Sequence, residues 1–218
     1  MNRGRLKTLF RIAVSDRELP YYWDDEELDE YLDEAELEAS RRAHFLVDSS
    51  STVSRASVSA GEPEVRYDSR MLFVRRARLA SSSVLLKIWP TRRLDDEVQG
   101  WENALPSTPM VLVPDWETGA FRLYPPPAAD DELLMTVVRE PIGGDASDDD
   151  ELETPARYQR GLLQWMRFRA YSKPDSDRRD PDGAAQALAL FEGEFGEKTR
   201  AVDEHWSREQ YYEVGDFQ

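Results

Sequence analysis

At 218 residues, 40% hydrophobic and 33% charged, the chain is long enough to bury a substantial core and polar enough to stay in water. Its formal net charge of −16 argues against tight duplex binding, which draws on Lys and Arg to neutralise phosphates, and the absence of cysteine removes disulfides, thiolate metal sites and cysteine nucleophiles. No run of about 18 apolar residues offers a membrane span, and Arg3, Arg5, Lys7 and Arg11 interrupt what would be the apolar heart of a signal peptide, so the chain is expected to be made and used in a cytoplasm.

Leu6, Phe10 and Val14 recur at helical spacing with Leu9 and Ala13 beside them, which predicts a short amphipathic helix from Arg3 to Ser15. Pro20 and Asp16 break it. Asp24 is a good N-cap for a second helix, with Glu27 at capping-box spacing and acids in the first turn suited to the positive end of the helix dipole. Leu28, Leu32, Ala35, Ala39, Ala43 and Leu46 form its narrow apolar stripe, ending near Val47.

The period then changes. Ser49 to Thr52 reads as a turn, and Thr52 to Ala60 alternates loosely up to Gly61. Met71, Phe73, Ala77 and Leu79 predict one face of a strand with Arg76 and Arg78 on the other, and Val84 to Ile88 its partner. Thr91 to Gln99, after Pro90, suits one or two turns of helix. Met110 to Val113 and Phe121 to Tyr124 flank a hairpin loop from Asp115 to Gly119. Pro125, Pro126 and Pro127 forbid continuation of a central strand. Leu133 to Arg139 is the last strand, with Leu133, Met135 and Val137 on one face. The centre is expected to be a small, mostly antiparallel sheet of about five strands.

Gly143 to Glu153 is an acidic loop carrying Asp148, Asp149, Asp150 and Glu151, either without fixed structure or ordered by a partner's cations. Thr154 as N-cap and Pro155 at the first helical position predict a third helix with Leu162, Trp165, Met166 and Ala170 on one face and Arg160 and Arg167 opposite. Lys173-Pro174-Asp175 ends it. Asp180 and Pro181 open a fourth, with Ala184, Leu188, Phe191 and Phe195 as its buried stripe up to Gly196. The expected class is α+β: a helical bundle from the N- and C-terminal helices with a central, mostly antiparallel β insert. Its parts are helices at 1–48, the β-rich insert at 49–142, the acidic loop at 143–153, helices at 154–197 and a C-terminal docking tail at 198–218.

Charge is unevenly placed. From Asp24 to Glu38 there are ten acids and no base, and from Arg66 to Arg93 eight bases and one acid, Asp68. Such runs are either solvated faces or surfaces on which one copy meets the next, a heterologous contact that closes into a ring. On the second reading Asp29, Asp33 and Glu36 face Arg75, Arg76 and Arg78 of a neighbour. Asp148, Asp149 and Asp150 form a loop for a partner. Trp206, Tyr211, Tyr212 and Phe217 are either anchors for a partner's pocket or fold back on their own chain.

Catalytic signatures are missing. There is no Walker loop, no Gly-x-Gly-x-x-Gly, no Gly-x-Ser-x-Gly and no His-Glu-x-x-His. His44 and His205 are the only histidines and lie far apart. Asp175, Asp177, Asp180 and Asp182 have alternate spacing that could offer oxygens to a hard cation, but lack the glycine and terminal Glu of an EF-hand loop, and Asp with Pro is also how helices are capped and broken. The 44 acids make chance carboxylate pairs common, so a cell-wall hydrolase remains an alternative with no particular pair to name. An acidic intracellular binding module is another. No cofactor and no metal are expected.

Several segments, taken in order, resemble tailed-bacteriophage head-to-tail adaptor (connector) proteins. They are Pro20-Tyr21-Tyr22-Trp23-Asp24-Asp25-Glu26-Glu27-Leu28 through Ala35, Arg41-Arg42-Ala43, Leu46-Val47-Asp48, Met71 to Leu79, and Thr118-Gly119-Ala120-Phe121-Arg122-Leu123-Tyr124-Pro125. Val138-Arg139-Glu140-Pro141, Thr154-Pro155-Ala156-Arg157-Tyr158, Arg169 to Asp177 and Phe191-Glu192-Gly193-Glu194-Phe195-Gly196 complete the set. The resemblance runs from Leu6 to Ala201; no single motif in it is chemically specific, and the chain departs from the pattern at Ala80 to Ser83 and matches weakly over Thr91 to Ala104. It implies a virion structural protein at the head-tail junction, assembled in the bacterial host cytoplasm. It further implies a ring of about twelve copies below the portal, a β-rich insert toward the tail or nozzle protein, a C-terminal segment reaching the portal, double-stranded DNA passing through the channel without specific binding, and no catalytic residues. A tail-completion or closure protein further from the capsid is the alternative within that class.

Overall fold

The computed structural model describes residues 1–143, 147–174 and 178–198. In chain order its elements are α1 (Arg3–Ala13), α2 (Asp25–Ala43), β1 (Val47–Asp48), β2 (Arg55–Val58), β3 (Glu64–Arg66), β4 (Met71–Leu79), β5 (Lys87–Ile88), α3 (Thr91–Glu97), β6 (Val111–Glu117), β7 (Ala120–Tyr124), β8 (Asp131–Arg139), α4 (Leu162–Ser172) and α5 (Pro181–Phe195). The class is α+β. Two compact units form: a helical one from Met1–Leu46 and Glu140–Lys198, and a β-rich one from Val47–Arg139.

In the helical unit, α1, α2, α4 and α5 share one core that includes Leu6, Phe10, Trp23, Leu28, Leu32, Ala35, Leu162, Met166 and Phe191. The Asp24 carboxylate accepts from the Glu27 amide and caps α2 as expected. The helix stops at His44, whose left-handed backbone (φ 51°) closes it, so His44 terminates the helix and Ala43 is exposed. Asp180 caps α5 through the Gly183 amide, with Pro181 at the first position.

The third long helix starts later than Thr154 and Pro155 suggested. Thr154 is buried, and its hydroxyl and amide both donate to Glu36 of α2. With that hydroxyl spent across the unit, the chain passes through tight turns closed by Tyr158 N–H to Pro155 O and Gly161 N–H to Tyr158 O before α4 begins. A Cβ at Gly161 would fall 2.8 Å from the Phe195 ring and 2.2 Å from the Glu194 carboxylate, so a side chain there would push α5 away.

The β-rich unit holds two four-stranded sheets, where the sequence suggested a single sheet of about five strands. In the first, β8 is central: β4 pairs along one edge, and β1 and β2 pair in succession along the other, all antiparallel. The second runs β3-β7-β6-β5, and β5 lies parallel to β6. Val84 to Ile88 therefore only bridges to β4, at Arg78 and Leu85, and continues as an edge of the other sheet. Both sheets contribute to one core that includes Val58, Val65, Val74, Ala77, Phe121, Leu123, Leu133, Met135 and Val137. A smaller cluster of Leu94, Trp101, Val111 and Val113 covers the opposite face of β6 with α3. The hairpin from β6 to β7 turns at Gly119 (φ 82°).

Strict alternation along β4 fails for a visible reason. Register slips against β8 between Met71 and Phe73 and between Val74 and Arg76, so Val74 is fully buried, Phe73 only partly, and Arg75 and Arg76 are both exposed. At the other edge, Arg139 of β8 donates to Asp48 at 2.6 Å, and the same carboxylate accepts from the Ser50 and Ser51 amides. Leu133, fully buried where both edges meet β8, is the strand's central core side chain. Leu133→Ala is expected to lower stability by about 2–5 kcal/mol, read as a shift of the urea midpoint at unchanged slope; a shift within error would mean that this site collapses without leaving a cavity.

Candidate functional site

The acidic run that the sequence sets apart does not face water alone. Arg3, Lys7 and Arg11 are four residues apart on α1 and so share one helix face; they are only 4%, 5% and 8% exposed. Across from them, Asp25, Asp29, Asp33 and Glu36 line α2. Arg3 pairs with Asp33 at 2.8 Å and with Asp29 at 3.3 Å, and Glu36 lies 4.0 Å away. Lys7 pairs with Asp29 at 3.0 Å, and Arg11 with Asp25 at 2.8 Å. Rising numbers on α1 meet falling numbers on α2, so the two helices run antiparallel with a fixed register. Burial works against the Arg3 and Lys7 cations, yet the facing carboxylates outweigh it and hold both above their usual values.

Further contacts extend this ladder. Arg11 also binds Asp16 at 2.8 Å and the Trp23 carbonyl at 2.8 Å, and stacks 3.8 Å from the Tyr21 ring centroid. Asp16, itself 4% exposed, accepts from the Tyr22 and Trp23 amides, so the connection from α1 to α2 is held from inside. At the other end, Lys7 pairs with Asp148, and the Arg3 and Gly4 amides donate to the Asp150 and Asp148 carbonyls. One cation of this chain, Lys7, thus already reaches the loop at Asp148, a contact that loop composition alone did not reveal. Asp148, Asp149 and Asp150 all remain exposed.

The acids of α2 are mostly engaged at home. Glu27 pairs with Lys173, Glu34 with Arg169, and Glu38 with Arg42 and Lys198. Asp29, Asp33 and Glu36 can therefore enter a contact between copies only as paired groups, and Glu36, 6% exposed and bound by Thr154, faces inward. On β4, Arg75 and Arg76 are exposed and make no ion pair with any described residue, whereas the half-buried Arg78 donates to the Leu79 and Ser82 carbonyls. Trp206, Tyr211, Tyr212 and Phe217, with His205, Asp175 and Asp177, lie outside the described residues. Among the described residues no group of three or more His, Asp or Glu is placed to hold a metal ion, and no helix is long and apolar enough to cross a membrane.

Two expectations follow. Arg11→Met should cost about 3–5 kcal/mol, because it leaves the Asp16 carboxylate buried without its cation. Adding Asp16→Asn should recover much of that loss in a denaturation double-mutant cycle, and strictly additive losses would contradict the pairing. Glu36 is pushed above the ordinary carboxylate value by burial, which outweighs the Thr154 donors and Arg3. A carboxyl raised on folding contributes most when protonated: its contribution is full below the unfolded value of about 4.3 and is lost as pH rises through the folded value. Glu36→Gln keeps an acceptor for Thr154 but cannot ionise, so its stability should fall less than that of the parent protein between pH 4 and pH 7; identical falls in urea titrations would remove Glu36 from the account.

The profile of the SU10 adaptor protein family matches residues 1–212. No curated protein matches the chain. With the match running over nearly all of its length, the chain belongs to the SU10 adaptor protein family, a family of phage head-to-tail adaptors.

Proposed function

We propose that this chain forms a ring of about twelve copies between the portal and the tail or nozzle protein of a tailed phage, and that the ring leaves a channel for double-stranded DNA. The family match over residues 1–212 is the observation that carries this reading. The helical unit builds the ring wall, and the β-rich unit extends toward the tail. The role is structural, with partners held by surface contact and no chemistry performed.

Charge supports the channel. At a net −16, carboxylates facing a lumen repel phosphates and let DNA pass without pausing. Between copies, Arg75 and Arg76 of one subunit face acids that are unpaired among the described residues, of which Glu26 and Glu30 on α2 are exposed, while Asp29 and Asp33 add field from within their own pairs. Arg78 joins Arg75 and Arg76 in that contact, and Asp148, Asp149 and Asp150 form a loop for a partner. Trp206, Tyr211, Tyr212 and Phe217 serve as anchors in portal pockets, an aromatic-rich mode that gives large contact area for little side-chain entropy.

Deleting residues 204–218 is expected to leave the helical and β-rich units folded by circular dichroism and to abolish co-sedimentation with the phage's own portal. Normal portal binding by the truncated protein would overturn the docking role of the tail. Failure of the full-length protein to form portal-capped rings in negative stain would overturn the adaptor ring itself.

A further inference from the structure

Residues 147–151 are held against α1 by backbone more than by side chains. The Arg3 and Gly4 amides donate to the Asp150 and Asp148 carbonyls at 3.0 and 2.9 Å, and Asn2 forms a bridge with Glu151. First-turn amides have no acceptor within their own helix, so these two take theirs from the segment. Gly4 lets it come close: a Cβ there would fall 3.0 Å from the Asp148 Cβ and 3.2 Å from the Asp148 carbonyl oxygen. Glycine weakens a helix relative to alanine, and at this position the missing side chain makes room for the neighbouring backbone.

The segment is also a unit. Asp150 N–H donates to Ser147 O and Ser147 N–H to the Asp150 carboxylate, which close it into a turn. All five of its side chains are exposed, and the ion pair of Asp148 with Lys7 ties it to α1. Next in the chain, Leu152 lies in the helical core and Thr154 is fixed to Glu36. Few buried apolar contacts and exposed backbone hydrogen bonds mark a segment that opens before its surroundings.

We infer that residues 147–151 are a latch, closed on the first turn of α1, that opens about Leu152 and Thr154 while the four helices stay folded. In the closed form Lys7 stands on Asp148 where a partner's cation would stand. A partner that takes this carboxylate takes it from Lys7, and its apparent affinity is scaled down by the fraction of subunits with the latch open. The latch needs no partner; the competition rests on the reading of residues 148–150 as a partner's loop.

Amide hydrogen exchange followed by NMR tests both. The Arg3 amide, bonded to Asp150, should be at least about tenfold less protected than the Leu32 amide in the middle of α2. Gly4→Ala should lower Arg3 protection about fivefold or more by pressing on Asp148, with the Leu32 amide unchanged. Simple fraying of α1 predicts the opposite, a gain with alanine, and that gain or an unchanged Arg3 amide would overturn the latch. Asp148→Asn should lower Arg3 protection about twofold or more. Equal protection of Arg3 and Leu32 in the parent protein would mean that the segment opens only with the whole helical unit, and would also overturn it. On binding the phage's own portal, capture of the loop should remove the protection of Arg3. Protection that persists on bound portal would strike the competition and the partner's loop while leaving the latch in place.

Discussion

Three cations buried along one face of α1 are the constraint on which the helical unit depends. A buried ammonium or guanidinium is tolerated only with a carboxylate against it, because the desolvation loss is several kcal/mol per ion. Arg3, Lys7 and Arg11 each have such a partner, and the partners recur on α2 at nearly the same interval. Sliding α1 by one residue would strand all three at once, whereas the apolar contacts of Leu6 and Phe10 alone would tolerate several registers. Apolar burial supplies the attraction between these helices; the ion pairs select one arrangement of it. One of the three, Lys7, also joins a loop distant in sequence to the helix pair through Asp148.

That arrangement also explains what the sequence could and could not tell. Apolar periodicity located α1, α2 and α5, and the caps at Asp24 and Asp180 formed where the side-chain chemistry demanded. The resemblance to head-to-tail adaptors, carried by short segments in a fixed order, agrees with the family the whole chain matches. Charges on α1 were legible only as interruptions of an apolar pattern, since helical spacing shows that Arg3, Lys7 and Arg11 share a face but not what lies opposite. The matching interval of the α2 acids was the available signal. Two runs of opposite charge at the same four-residue step can satisfy one another within a chain as readily as between chains, and spacing alone does not distinguish the cases.

In the β-rich unit the limit is different in kind. Alternation identified β4, β7 and β8, but the bulges in β4 exchange the faces of Phe73 and Val74, and a bulge leaves no mark on a two-residue period until the partner strand is known. The parallel pairing of β5 with β6 was equally hidden, because a two-residue strand carries too little pattern to choose between neighbours. Thr154 failed as a helix signal for a third reason. A threonine before a proline caps a helix when its hydroxyl is free, and here Glu36 takes it, so a tertiary hydrogen bond displaced a local one.

The partition of charge has a consequence for any assembly this chain joins. Acids already paired within the subunit, such as Asp29 and Glu36, lose most of their reach as long-range attractors, because their fields are partly cancelled at close range by Arg3 and Lys7. The surplus behind the net −16 is therefore left to acids without a cation among the described residues, of which Glu26 and Glu30 on α2 are exposed. Their fields reach furthest toward another molecule, attracting a cation and repelling a carboxylate alike.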